Sequence, residues 1–155
     1  MDNTKLSEHF SLFEMTVTEH RKLQDVNRAS VTPDLLRSGI VLCETILEPI
    51  RLNFNKPLIV HSGYRCNKLN KVIGGSKVSQ HCLFEAVDFH IVDTTLKSIF
   101  TWIRLSHLKY GQVILEGWSL GNPSWIHISL GEPYREASKC RQAMTFDGKQ
   151  YIRLN

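Results

Sequence analysis

Ser79-Gln80-His81-Cys82-Leu83-Phe84-Glu85-Ala86-Val87-Asp88 runs from a loop into a strand, and Trp125-Ile126-His127-Ile128-Ser129-Leu130 reads as a second strand some forty positions on. Side chains alternate across a strand, so Ile126, Ile128 and Leu130 share one face and Trp125, His127 and Ser129 the other. The first strand continues to Phe89, His90, Ile91 and Val92, with Ala86, Asp88 and His90 opposite Val87, Phe89 and Ile91. The aliphatic faces are expected to pack on a core. An aspartate in the middle of an apolar strand needs a partner, because burying an unpaired carboxylate is costly. If His81, Asp88 and His127 converge, they make a set of three N/O donors. That composition suits a catalytic zinc ion with an open fourth position, whereas structural zinc is closed by four protein ligands, mostly Cys.

Outward from these strands the chain reads as α+β. Ser11-Leu12-Phe13-Glu14 has the form of a capping box opening a short helix. Thr32-Pro33-Asp34 is a stronger start signal: an N-cap hydroxyl, a proline at the first helical position and an acid in the first turn. Leu35, Leu36, Ile40, Cys43, Ile46, Leu47, Ile50 and Phe54 then recur at helical spacing, with an interruption expected near Pro49. Pro57–Ser62 reads as a strand, 67–72 as a short helix, and Thr94-Thr95-Leu96 opens a helix to about Leu105. Gln112–Glu116 and Trp125–Leu130 read as a strand pair around the Gly117–Pro123 turn region, and Asp147-Gly148 marks a late hairpin. The expected architecture is helices first, then a small, mostly antiparallel sheet with one inserted helix, in one domain spanning 1–155.

Composition narrows the function classes. Nineteen Lys+Arg against fifteen Asp+Glu give +4 in 155 residues. The charge is not gathered into basic clusters interleaved with aromatics, so a nucleic-acid partner is not expected. Cys43, Cys66, Cys82 and Cys140 contain no C-x-x-C pair, and four reduced thiols are the expectation. Met1-Asp2-Asn3-Thr4-Lys5 opens no export signal, and no stretch reaches the ~18 apolar residues of a membrane span. Synthesis in the cytoplasm, no stable membrane association and a monomer are expected.

A water-activating centre also needs a base and an oxyanion partner. Glu116, ending its strand, comes near His127 if the two strands pair through the intervening turn, and could carry a proton from water to a leaving amine. Arg65, in Ser62-Gly63-Tyr64-Arg65, offers a fork-shaped guanidinium for a substrate carboxylate or a developing oxyanion.

The ordered set Ser62-Gly63-Tyr64-Arg65, Leu69-Asn70, Gly74-Gly75, Ser79-Gln80-His81, Ala86-Val87-Asp88 and Trp125-Ile126-His127-Ile128-Ser129 resembles the zinc D-alanyl-D-alanine carboxypeptidase family. That family includes phage L-alanyl-D-glutamate endolysins and shares its fold with the hedgehog signalling domain. The resemblance takes in Leu6-Ser7-Glu8-His9-Phe10 and Leu47-Glu48-Pro49-Ile50-Arg51 and runs from residue 6 to about 130. It implies zinc held by His81, Asp88 and His127, Glu116 as general base, Arg65 at the oxyanion, and Ser79 as a local hydrogen-bonding or substrate contact. The implied substrate is a peptidoglycan stem peptide cut beside a D-amino acid, in the bacterial wall or periplasm. The rival expectation is a non-catalytic, zinc-stabilised wall-binding or virion module. One position departs: Phe84 stands where the family pattern has glycine. It is read as a loop departure in which the phenylalanine either adopts an ordinary φ or distorts the loop between His81 and Asp88, with Phe84→Gly expected to be tolerated in folding and to keep or raise activity.

Overall fold

The computed structural model describes residues 4–117 and 124–154. Helices α1 (Leu12–Met15), α2 (Gln24–Ala29), α3 (Pro33–Leu42) and α4 (Glu48–Phe54) come first. Strand β1 (Leu58–Ser62), helix α5 (Asn67–Val72), strand β2 (Ala86–Ile91) and helix α6 (Leu96–Leu105) follow, then β3 (Tyr110–Glu116), β4 (Trp125–Leu130), β5 (Gln142–Phe146) and β6 (Tyr151–Leu154). The six strands form one sheet in the order β1-β2-β4-β3-β5-β6. All neighbours are antiparallel except β3 and β5. The α+β expectation holds. The turn expected at Gly117–Pro123 lies, beyond Gly117, outside the described residues.

The start signals act as read. Ser11 and Glu14 exchange both capping-box bonds, and the Thr32 hydroxyl accepts from the Leu35 amide. The interruption at Pro49 takes a definite form. Cys43–Leu47 is one π-helical stretch joining α3 to α4. Proline has no amide hydrogen and its ring crowds the carbonyl four residues back, so the ladder widens just before it rather than breaking.

Alternation holds across the sheet. Val87, Phe89 and Ile91 of β2 and Ile126, Ile128 and Leu130 of β4 join Val113 and Leu115 of β3 in a buried cluster with the long helix and α6. The N-terminal segment is clasped to α4 through one carboxylate. The Ser7 hydroxyl (2.6 Å) and the His9 amide (2.8 Å) both donate to Glu48 Oε1, and His9 Nδ1 lies 2.8 Å from Oε2. Burial alone would raise the Glu48 carboxyl. The bonds from Ser7 and His9 outweigh it and hold the group below its ordinary value.

Phe84 corrects an expectation. It closes the short 3-10 turn Gln80–Leu83 in the left-handed region, at φ 58° and ψ 31°. Its amide donates to the His81 carbonyl at 3.2 Å. The backbone therefore takes the left-handed turn that glycine favours, and does so with a phenylalanine. The side chain is no loop departure: the ring is fully buried, 5.4 Å from the Tyr64 ring and against Gly39 of α3. Core packing holds the turn, and the approach from His81 to Asp88 is kept.

Candidate metal centre

Register brings two of the three expected ligands together. Asp88 of β2 stands directly opposite His127 of β4, and Ile114 of β3 flanks His127 on the other side. Directly opposed residues have Cβ atoms about 5 Å apart, so side chains on the same face meet. His81 reaches the same point from the 3-10 turn. Its Nδ1 donates to the Gly63 carbonyl at 2.7 Å, which leaves the Nε2 lone pair facing inward.

His81 Nε2 is 3.3 Å from His127 Nδ1 and 3.3 Å from Asp88 Oδ1, and His127 Nδ1 is 2.8 Å from Asp88 Oδ1. An ion bonded tetrahedrally at 2.0–2.1 Å separates its ligand atoms by about 3.3–3.4 Å. Two edges of the triangle have that length and the third is shorter. His81, Asp88 and His127 could therefore hold a metal ion, and they are the one such group among the described residues. The protonation states suit ligation. Burial lowers the His81 imidazole and favours its neutral form. Burial would raise the Asp88 carboxyl, but His81 and His127 pull it far below the usual carboxylate range by charge and hydrogen bonding.

The triad lies in a cleft of about 590 Å³ that Arg65, Ser79 and Glu116 also line. Glu116 pairs in register with Trp125, two residues before His127. Burial raises its carboxyl, an effect opposed by His127 and reinforced by Asp88. A carboxylate so placed exchanges protons closer to neutral pH than an exposed one. The Arg65 amide donates to the His81 carbonyl at 3.1 Å, and its guanidinium is within electrostatic reach of Asp88. Its Nε is buried and makes no protein hydrogen bond. Ser79 enters through its backbone, accepting from the Cys82 amide at 3.1 Å.

Several residues of the site escape sequence reasoning. Asn27 of α2 is fully buried; its amide donates to the carbonyls of Thr16 and Tyr64 and accepts from the Cys66 amide, bracketing Arg65. Gln80 lines the cleft, and with its side-chain amide turned to satisfy both ends its oxygen accepts from Arg135 Nε and Nη2 at 2.9 Å. Arg135 also pairs with Glu85 at 3.0 Å. Met144 and Tyr151 bring β5 and β6 to the cleft wall. No periodicity or motif announces these contacts. Asn27 is the one buried residue of α2.

Fold, ligand triangle and cleft fit a metal-binding hydrolase centre, and comparison with known families points the same way. The chain matches the Peptidase M15 family model over residues 8–129 and belongs to that family, which makes it a zinc metallopeptidase at family level. A search of curated proteins finds no match. Residues 130–154, which supply Arg135, β5 and β6, lie beyond the matched region.

Proposed function

We propose that this chain is a zinc-dependent peptidase that hydrolyses a peptide bond beside a D-amino acid in peptidoglycan stem peptides, in the manner of a phage endolysin. The observation that carries the reading is the triangle of His81 Nε2, Asp88 Oδ1 and His127 Nδ1, with edges of 3.3, 3.3 and 2.8 Å, inside a cleft that also holds Glu116 and Arg65. When bound there, zinc supplies Lewis acidity and lowers the pKa of water toward about 7.

The remaining work falls to the protein. The Gly63 carbonyl fixes the His81 tautomer. Glu116 accepts a proton from the attacking water and delivers it to the departing amine, a role its raised pKa suits. Arg65, charged and short of one hydrogen-bond partner, faces the oxygen on which negative charge grows. The product amine leaves protonated, and the new carboxylate carries the oxygen of water. The chain is made in the host cytoplasm, and its substrate lies in the wall.

The test is mass spectrometry of purified muropeptides incubated with the protein, with and without a chelator. New fragments whose masses sum to the parent plus one water, and which vanish with chelator, are expected. Intact muropeptides after incubation with fully zinc-loaded, folded protein would instead point to a non-catalytic wall-binding module.

A further inference from the structure

Two arginines line the cleft, and the hydrolysis proposed for the triad uses only Arg65. The other is Arg135. Its backbone is fixed, since the Arg135 amide donates to the Gly131 carbonyl at 3.1 Å and the Gly131 amide to the Lys109 carbonyl at 3.0 Å. Its guanidinium is gripped twice. Nη2 donates at 3.0 Å to Glu85, whose side chain is 13% exposed and lies outside the cleft lining. Nε and Nη2 donate at 2.9 Å to the Gln80 oxygen, and the Gln80 amide nitrogen donates in turn to Ser129 Oγ at 3.3 Å and Gln112 Oε1 at 3.2 Å. Neither grip uses Nη1. A guanidinium held in place before a ligand arrives loses little freedom on binding, and its remaining N–H groups match a carboxylate.

We propose that Arg135 is a specificity-determining residue that binds a carboxylate of the substrate across the triad from Glu116, an assignment that rests on the stem-peptide reading. Position on the sheet sets the place. Trp125, His127 and Ser129 share one face of β4 at steps of about 6.6 Å. Glu116 pairs with Trp125, and Gln80 bonds to Ser129. The base and the Gln80–Arg135 corner therefore stand on opposite sides of His127. An extended chain advances about 3.3–3.6 Å per residue, so the carboxylate held belongs to a residue within about three positions of the bond cut.

Charge at that corner favours an acid. Among the described residues the acids lining the cleft are Asp88, inside the triad, and Glu116, on its far side. A stem peptide carries carboxylates of two kinds, the α-carboxylate of a γ-linked D-glutamate and the chain terminus, and each offers the same pair of charged oxygens. The amide of either offers one oxygen, no charge and N–H groups that repel those of a guanidinium. Arg135 would therefore select acid over amide, because hydrogen bonds to charged groups are the stronger kind. Residue 135 lies beyond the family match at 8–129, so this contact is a property of this chain rather than of the family pattern.

The experiment is calorimetric binding of stem tripeptides to as-purified Glu116→Gln protein, so that turnover does not intrude. Three probes are compared: both carboxylates free, the D-glutamate α-carboxylate amidated, and the C-terminus amidated. One amidated form is expected to bind at least about tenfold more weakly than the diacid, the worth of a hydrogen bond to a charged group, and that form identifies the source. Adding Arg135→Ala should bring the ratio to about one by weakening the diacid alone. Arg135→Lys, which leaves a cation beside Glu85 and so protects the fold, should also lower the ratio, since an ammonium lacks the fork. Arg65→Ala and Glu85→Gln should each keep it. A ratio that survives in both Arg135 variants, or that is lost in Arg65→Ala instead, overturns the proposal. Equal weakening of all three probes by Arg135→Ala and by Glu85→Gln makes Arg135 a structural partner of Glu85 and overturns it too. Binding of none of the probes overturns it whatever the parent cuts, and muropeptide cleavage by the parent then still upholds the hydrolytic reading. An Arg135-dependent ratio in a protein whose zinc-loaded parent cuts nothing upholds the proposal while the hydrolytic reading falls.

Discussion

Phe84 and Gly39 are a complementary pair: a Cβ on residue 39 would fall 2.7 Å from Phe84 Cε1. The ring occupies the space that a helix side chain would fill, and the left-handed turn at Phe84 is held by that packing. Phe84→Gly would relieve the strained backbone, worth about 1 kcal/mol, but leave the cavity of a lost buried ring, worth about 3–5 kcal/mol. A net loss of about 2–4 kcal/mol is expected by chemical denaturation. Gly39→Ala should cost about 1–3 kcal/mol by overpacking. In the Phe84→Gly background the same change should become neutral or stabilising, since alanine is the better helix former. Additive effects in that cycle would show that the two positions do not share one space.

Purified protein is expected to carry about one zinc per chain at the triad, measured by elemental analysis. His81→Ala and His127→Ala should each lose it. Affinity should fall as the medium is made acidic, because protonated imidazole cannot ligate, and burial, which lowers His81, moves its part of that fall to more acid pH than an ordinary histidine's. Full zinc retention by folded His127→Ala would remove that residue from the centre.

Glu116→Gln should keep fold, zinc and substrate binding and lower turnover by about 10²–10⁴, the usual worth of a positioned acid–base group. Arg65→Ala should lower turnover as well, and Arg65→Lys should not restore it, since a point charge lacks the guanidinium fork. The assay is release of new amino groups from wall peptides. A Glu116→Gln enzyme as active as the parent would move the proton-transfer role elsewhere.

The Glu48 clasp predicts a pH dependence of stability. Its folded pKa lies below the ordinary 4.5. The contribution is therefore complete above the unfolded value and drains away as pH falls below about 4.5 toward the lowered folded value. Denaturation midpoints of the parent should drop through that window. Glu48→Gln should start lower at neutral pH and show a shallower drop, and identical acid profiles for the two proteins would remove Glu48 from the account.

The legible part of the centre was what one-dimensional pattern encodes. Strand alternation put Asp88 and His127 on faces away from the core, and the paired register set them opposite each other. Glu116 fell near His127 for the same reason. What stayed hidden depended on contacts between distant segments. The destination of the Phe84 ring is decided by Gly39, forty-five positions earlier, and the left-handed turn is tolerable only because of it. Asn27 looks like any polar helix residue until its three backbone partners at Thr16, Tyr64 and Cys66 are in place. Arg135, Met144 and Tyr151 follow the last strand of the motif, so nothing in the motif's spacing foretold that β5 would return beside β3.

The hydrogen bond from His81 to the Gly63 carbonyl has a mechanical side. Gly63 is wedged against the Met15 carbonyl, where any side chain would collide, and the neighbouring Tyr64 amide donates to that same carbonyl at 2.8 Å. The aim of an imidazole is thus transmitted from α1, a segment that contributes no ligand of its own. Undocking of the N-terminal segment would loosen the grip on an ion before the sheet is disturbed, and an ion in place would slow hydrogen exchange at the Tyr64 amide. Residues 4–15 would then act as a latch whose closure a bound metal both needs and reports.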